Sequence, residues 1–103
     1  VGSLTVAGKQ MVEIAKALSR DCRIILMDEP SMGLSPIFVN EIFDIIKEVR
    51  KTGTTVLLVE QNAKKALEIA DRAYVLETGK ILLSGDAKEL MNDDAVKKAY
   101  LGE

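Results

Sequence analysis

The side chains best placed for chemistry are Asp28 and Glu29, adjacent carboxylates that end the apolar run Ile24-Ile25-Leu26-Met27 and precede Pro30. A parallel strand that delivers acids at its carboxyl end puts them where open α/β sheets hold ligands. One carboxylate there can hold a magnesium ion, usually through water, while its neighbour polarises an attacking water. The same pair equally describes a plain solvated strand end, because two acids alone specify little. On the residues alone, Glu60-Gln61-Asn62 after the apolar run Thr54–Val59 suits an ordinary loop, and Thr5 fits a simple helix N-cap.

Composition narrows the chemistry further. The 103 residues contain no histidine and one cysteine, Cys22. A Ser-His-Asp triad, a Cys-His pair and an imidazole shuttle are thereby excluded, so acid-base work falls to carboxylates. One cysteine forms no internal disulfide and cannot build a zinc site alone, which implies a reducing, cytosolic setting. Cys22 itself is expected to pack as a small buried residue. A net charge of −2 and a pI near 5.2 argue against a broad nucleic-acid surface. No apolar run approaches the roughly 20 residues needed to span a bilayer. Apolar residues at 48% and charged residues at 29% suit one folded domain, burying roughly two thirds of its unfolded surface.

The elements that must position these residues follow from periodicity. Met11, Ile14, Ala15 and Leu18 recur at i, i+3, i+4, i+7, predicting a helix over about Thr5–Ser19. Ile24–Met27 reads as a strand buried on both faces. Ser35-Pro36 reads as an N-cap with proline at the first helical position. The helix it opens carries Phe38, Ile42, Ile45, Ile46 and Val49 inward and ends near Gly53. The β-branched run Thr54–Val59 is a second buried strand, so strand, helix and strand form a parallel βαβ unit. A helix over about Asn62–Ala70 follows, with Ala63, Ala66, Leu67 and Ala70 on one side. Tyr74–Leu76 and Ile81–Leu83 then flank Glu77-Thr78-Gly79-Lys80, a hairpin with a tight turn. Asp86 and Asp93 resemble N-caps of two short closing helices.

The run RIILMDEPSMGLSP, residues 23–36, resembles the Walker B strand and D-loop of the ATP-binding cassette (ABC) ATPases. TTVLLVEQNA, residues 54–63, is similar to that family's switch strand and loop, and residues 71–103 resemble its closing hairpin and helices. Residues 23–103 together are most similar to the ATPases of branched-chain amino acid importers, which also carry glutamine at the switch position. The opening, residues 1–20, resembles instead the sugar-importer ATPases, with a degenerate LSGGQ-type signature in a helix over residues 4–20. There Thr5 keeps the hydroxyl while Val6 and Ala7 replace two glycines, crowding the backbone donors with Cβ atoms. The two resemblances meet between Leu18 and Ile24, as in a chimera or a natural intermediate.

By this resemblance the fold is α/β, a three-layer, short and mainly parallel sheet with an antiparallel hairpin, part of the P-loop NTPase fold. Asp28 would coordinate Mg2+, and Glu29 would be the general base for the water attacking the γ-phosphate of ATP. Gln61 would contact that phosphate, and Thr5, Val6 and Ala7 would face a nucleotide on a second ATPase subunit. Ser31–Pro36 would touch the same partner, and membrane permease subunits would complete the transporter at the inner face of the membrane. No GxxxxGK[ST] phosphate loop occurs in the 103 residues, and the resemblance covers only the carboxyl-terminal half of the family's domain. The chain alone is therefore expected to bind Mg-ATP at about millimolar affinity or weaker and to hydrolyse none. A standalone folding unit, or one half of a split ATPase, is the competing reading. An exposed sheet edge would favour a homodimer.

Overall fold

A computed structural model describes residues 6–19 and 23–102, with the backbone alone at 6, 7, 18 and 19. Thr5 and Cys22 lie outside the described residues, as does the side chain of Leu18. The elements run α1 Val6–Ser19, β1 Ile24–Asp28, α2 Pro36–Lys51, β2 Thr55–Val59, α3 Ala63–Ile69, β3 Arg72–Glu77, β4 Lys80–Asp86, α4 Ala87–Met91 and α5 Asp94–Tyr100. They divide between Gln61 and Asn62 into two compact units.

In the first unit, β1 and β2 pair in parallel, with Ile24 opposite Thr55 and Asp28 opposite Val59. Helix α2 is the crossover between them, as the βαβ pattern requires. Pro36 occupies its first turn, and the Ser35 carbonyl accepts the Val39 N–H at 2.9 Å. The Ser35 hydroxyl makes no capping hydrogen bond, so proline geometry rather than side-chain capping starts this helix. It ends with Gly53 at φ 93, whose N–H bonds the Arg50 carbonyl at 3.0 Å.

The buried apolar residues of this unit are Ile14, Ile25, Met27, Ile42, Phe43, Ile46 and Val49. Phe43, absent from the expected stripe, is buried, whereas Phe38 is exposed near the amino end of α2. The stripe is thus centred on Ile42, Phe43, Ile46 and Val49, and Phe38 lies outside it.

The expectation that both strands are buried on two faces is corrected. Along β1, Ile25 and Met27 are buried while Ile24 and Leu26 remain 68% and 65% exposed; along β2, Leu57, opposite Leu26, and Val59, opposite Asp28, are 56% and 48% exposed. Successive strand residues point to opposite faces. The unit therefore buries one face of its sheet and leaves an apolar face open, and Asp28 falls in the open set.

The second unit pairs β3 with β4 antiparallel. Thr78 and Gly79, at φ 50 and 76, form the two-residue turn, the left-handed geometry whose twist matches a hairpin. Leu76 pairs with Ile81 and Val75 with Leu83, which leaves Leu82 as a bulge. The closing caps form as expected. Asp86 accepts the Lys88 N–H at 2.9 Å and the Glu89 N–H at 3.3 Å, and Asp93 accepts the Val96 N–H at 3.1 Å. Asn62 caps α3 by accepting the Lys65 N–H at 3.3 Å. Leu67, Ala87, Leu90 and Val96 form the core, packed by Ala70, Ala73, Met91 and Leu101.

Candidate functional site

Parallel pairing in register brings the carboxyl ends of β1 and β2 side by side. Asp28-Glu29 leave one strand next to Glu60-Gln61 leaving the other. The ladder continues one bond past the paired residues, because the Glu29 N–H donates to the Val59 carbonyl at 2.7 Å. Glu29 then takes φ 48, in the left-handed region, which costs a non-glycine residue about 1–2 kcal/mol. The chain reverses there, and the Met32 N–H closes onto the Glu29 carbonyl at 3.1 Å.

The turn is tied down from two directions. Gln10 of α1 donates from Nε2 to the Pro30 carbonyl at 2.9 Å. Ser31, only 9% exposed, donates both its N–H and its hydroxyl to Glu60 Oε1, at 3.0 and 2.6 Å. Spacing along the chain gave no sign of either contact, since they span 20 and 29 residues. The available signal was compositional: a glutamine on an otherwise apolar helical stripe and a carboxylate closing an apolar strand.

Among the sequence-predicted site residues, Asp28 and Gln61 are exposed and Glu29 is half-buried. Neither Asp28 nor Glu29 is ion-paired among the described residues; acid-base pairs on helix faces include Lys16–Glu13 at 3.4 Å, Lys47–Asp44 at 3.8 Å and Lys51–Glu48 at 3.1 Å. Val6 and Ala7 form the first turn of α1, where N–H groups have no intrahelical acceptor. No group of three or more metal-ligating side chains occurs among the described residues. A single exposed carboxylate such as Asp28 fits a hard cation whose other ligands are waters and phosphate oxygens, the usual habit of Mg2+.

No family model matches the sequence. Over 101 residues, 98% of the chain, it is 46% identical to BraG of Pseudomonas aeruginosa, a high-affinity branched-chain amino acid transport ATP-binding protein. Its fold superposes on an ATP-binding cassette of an ABC transporter, crystallised in its ADP conformation, with a TM-score of 0.80 at 32% identity over 99% of the chain. The chain is homologous to the ATP-binding proteins of ABC transporters. It spans 43% of BraG and 42% of that cassette, well under half of each. Relatives also include LptB of Haemophilus influenzae, from a lipopolysaccharide export system, 41% identical over 98% of the chain and 42% of LptB. LivF of Archaeoglobus fulgidus, a probable branched-chain amino acid transport ATP-binding protein, is 41% identical over 98% of the chain and 43% of LivF. The α/β arrangement with a short parallel pair and an antiparallel hairpin is accordingly that of the ABC ATPases, as the resemblance implied.

Proposed function

We propose that the chain supplies the signature, Walker B, D-loop and switch segments of the ATP-hydrolysing subunit of an ABC importer. The observation that carries this reading is the meeting of Asp28-Glu29 with Gln61 at the adjoining carboxyl ends of β1 and β2. Asp28 would hold Mg2+, which when bound neutralises charge on the phosphates. The Glu29 carboxylate accepts the proton of the attacking water, with no histidine in the chain to share that work. Gln61 donates an amide N–H to a γ-phosphate oxygen, and because it carries no charge it positions rather than neutralises. Thr5 and the N–H groups of Val6 and Ala7 face the nucleotide of a second ATPase subunit.

Two relatives named for branched-chain amino acid transport, one of them 46% identical, favour the amino acid branch of the resemblance, whose members are importers, over the lipopolysaccharide export system named for LptB. The solute class is an amino acid, with a sugar as the alternative suggested by residues 1–20. No described helix is long and apolar enough to cross a membrane, which suits a subunit held at the inner face of the membrane by permease subunits. The chain by itself is expected to be inactive towards ATP, and to form homodimers through its open strand edges.

The test joins the chain with the segment of BraG that it does not cover. Mg-ATP hydrolysis by the mixture, lost on Glu29→Gln, supports the proposal. Saturable micromolar Mg-ATP binding by the chain alone would contradict its predicted inactivity.

A further inference from the structure

Three segments converge on the turn Glu29-Pro30-Ser31, and the contact with Glu60 differs from the others. Val59 holds Glu29 through a carbonyl, and Gln10 reaches only the Pro30 carbonyl. One oxygen of Glu60 takes both donors of Ser31, at 3.0 and 2.6 Å, in a part-buried setting. Hydrogen bonds to an ionised carboxylate are roughly twice as strong as neutral ones, and two on one oxygen leave the turn little freedom to rotate. Glu60 lies next to Gln61, and Ser31 lies two residues after Glu29. A displacement of either segment is therefore transmitted to the other through this side chain as well as through the backbone bond from Glu29 to Val59.

We propose that Glu60 is a positioning residue: by accepting the N–H and hydroxyl of Ser31, it sets the placement of Glu29 relative to Gln61. Its catalytic consequence rests on the ATPase reading, whereas the structural lock does not. The alternative, that the contact merely satisfies a buried serine, predicts the same hydrogen bonds but no effect on turnover.

The first arm measures amide hydrogen exchange at Ser31 in the 103-residue chain. Glu60→Ala is expected to speed exchange about ten- to a hundredfold, and Glu60→Gln, which keeps an acceptor oxygen, by less than about threefold. Ser31→Ala, which keeps the backbone donor, guards against a Glu60→Ala chain that fails to fold: its residue 31 amide should remain protected. The second arm measures ATP hydrolysis by the chain joined with the uncovered BraG segment. Glu60→Ala is expected to lower kcat about tenfold with KM for ATP unchanged, Glu60→Gln to restore most of it, and Glu60→Ala with Ser31→Ala to be no slower than Glu60→Ala alone. Unchanged Ser31 exchange in Glu60→Ala overturns the lock. Faster exchange with unaltered kcat overturns the positioning role. Absence of hydrolysis in the unmodified mixture would count against the ATPase reading while leaving the exchange result to decide the lock.

Discussion

Glu29 combines a reactive side chain with a backbone that its residue type disfavours, φ 48 immediately after a strand. The conformation turns the chain out of the ladder at this half-buried residue, while the Val59 carbonyl still holds its N–H. A glycine would adopt this backbone freely, yet it also loses more entropy on folding. Glu29→Gly is thus expected to leave stability unchanged or raise it by up to about 1 kcal/mol, read from the denaturation midpoint, while removing the carboxylate. A loss above about 1 kcal/mol would show that the side chain contributes to the fold. Asp28 and Glu29 were legible as candidates because they close an apolar run directly, and Gln61 because its segment resembles the switch loop. The Ser31–Glu60 and Gln10–Pro30 contacts were not, because they depend on strand register and helix placement that no local spacing encodes.

Among the elements, the caps separate into those that bond and those that only look right. Asp93→Ala removes an acceptor of the Val96 N–H at the start of α5 and is expected to cost about 1 kcal/mol. Ser35→Ala, with no capping bond to lose, should stay within about 0.5 kcal/mol. Equal losses in urea unfolding would contradict this account of how α2 starts. Such elements were legible from apolar periodicity, turn chemistry and cap residues, as the hairpin at Thr78-Gly79 shows. The centring of α2 on Phe43 rather than Phe38 was less so, since both aromatics lie within one helical turn of the buried stripe. Burial of β1 and β2 on both faces was overestimated for a physical reason. A continuous apolar run records how much surface needs covering, but not whether the chain itself covers it.

At the scale of the whole molecule, the apolar side chains fall into a closed set and an open one. Ile42 is fully buried, and Ile42→Ala is expected to cost about 2–5 kcal/mol, measurable as a shift in the unfolding midpoint. Ile24, Leu26, Leu57 and Val59 leave apolar area in water, at about 25 cal/mol for each Å² that a neighbour could cover. Concentration-dependent association in native mass measurements, reduced by Leu26→Lys, is the expected outcome; a strict monomer at all concentrations would count against the homodimer. The open face also includes Asp28, so the same surface that lacks apolar cover presents the carboxylate assigned to the metal. The most direct test is the rate of Mg-ATP hydrolysis when the chain is joined with the BraG segment it does not cover, with and without Glu29→Gln. The account predicts hydrolysis that falls at least about a hundredfold in the variant, with the mixture still assembled. Hydrolysis that survives Glu29→Gln at the unmodified rate would contradict it.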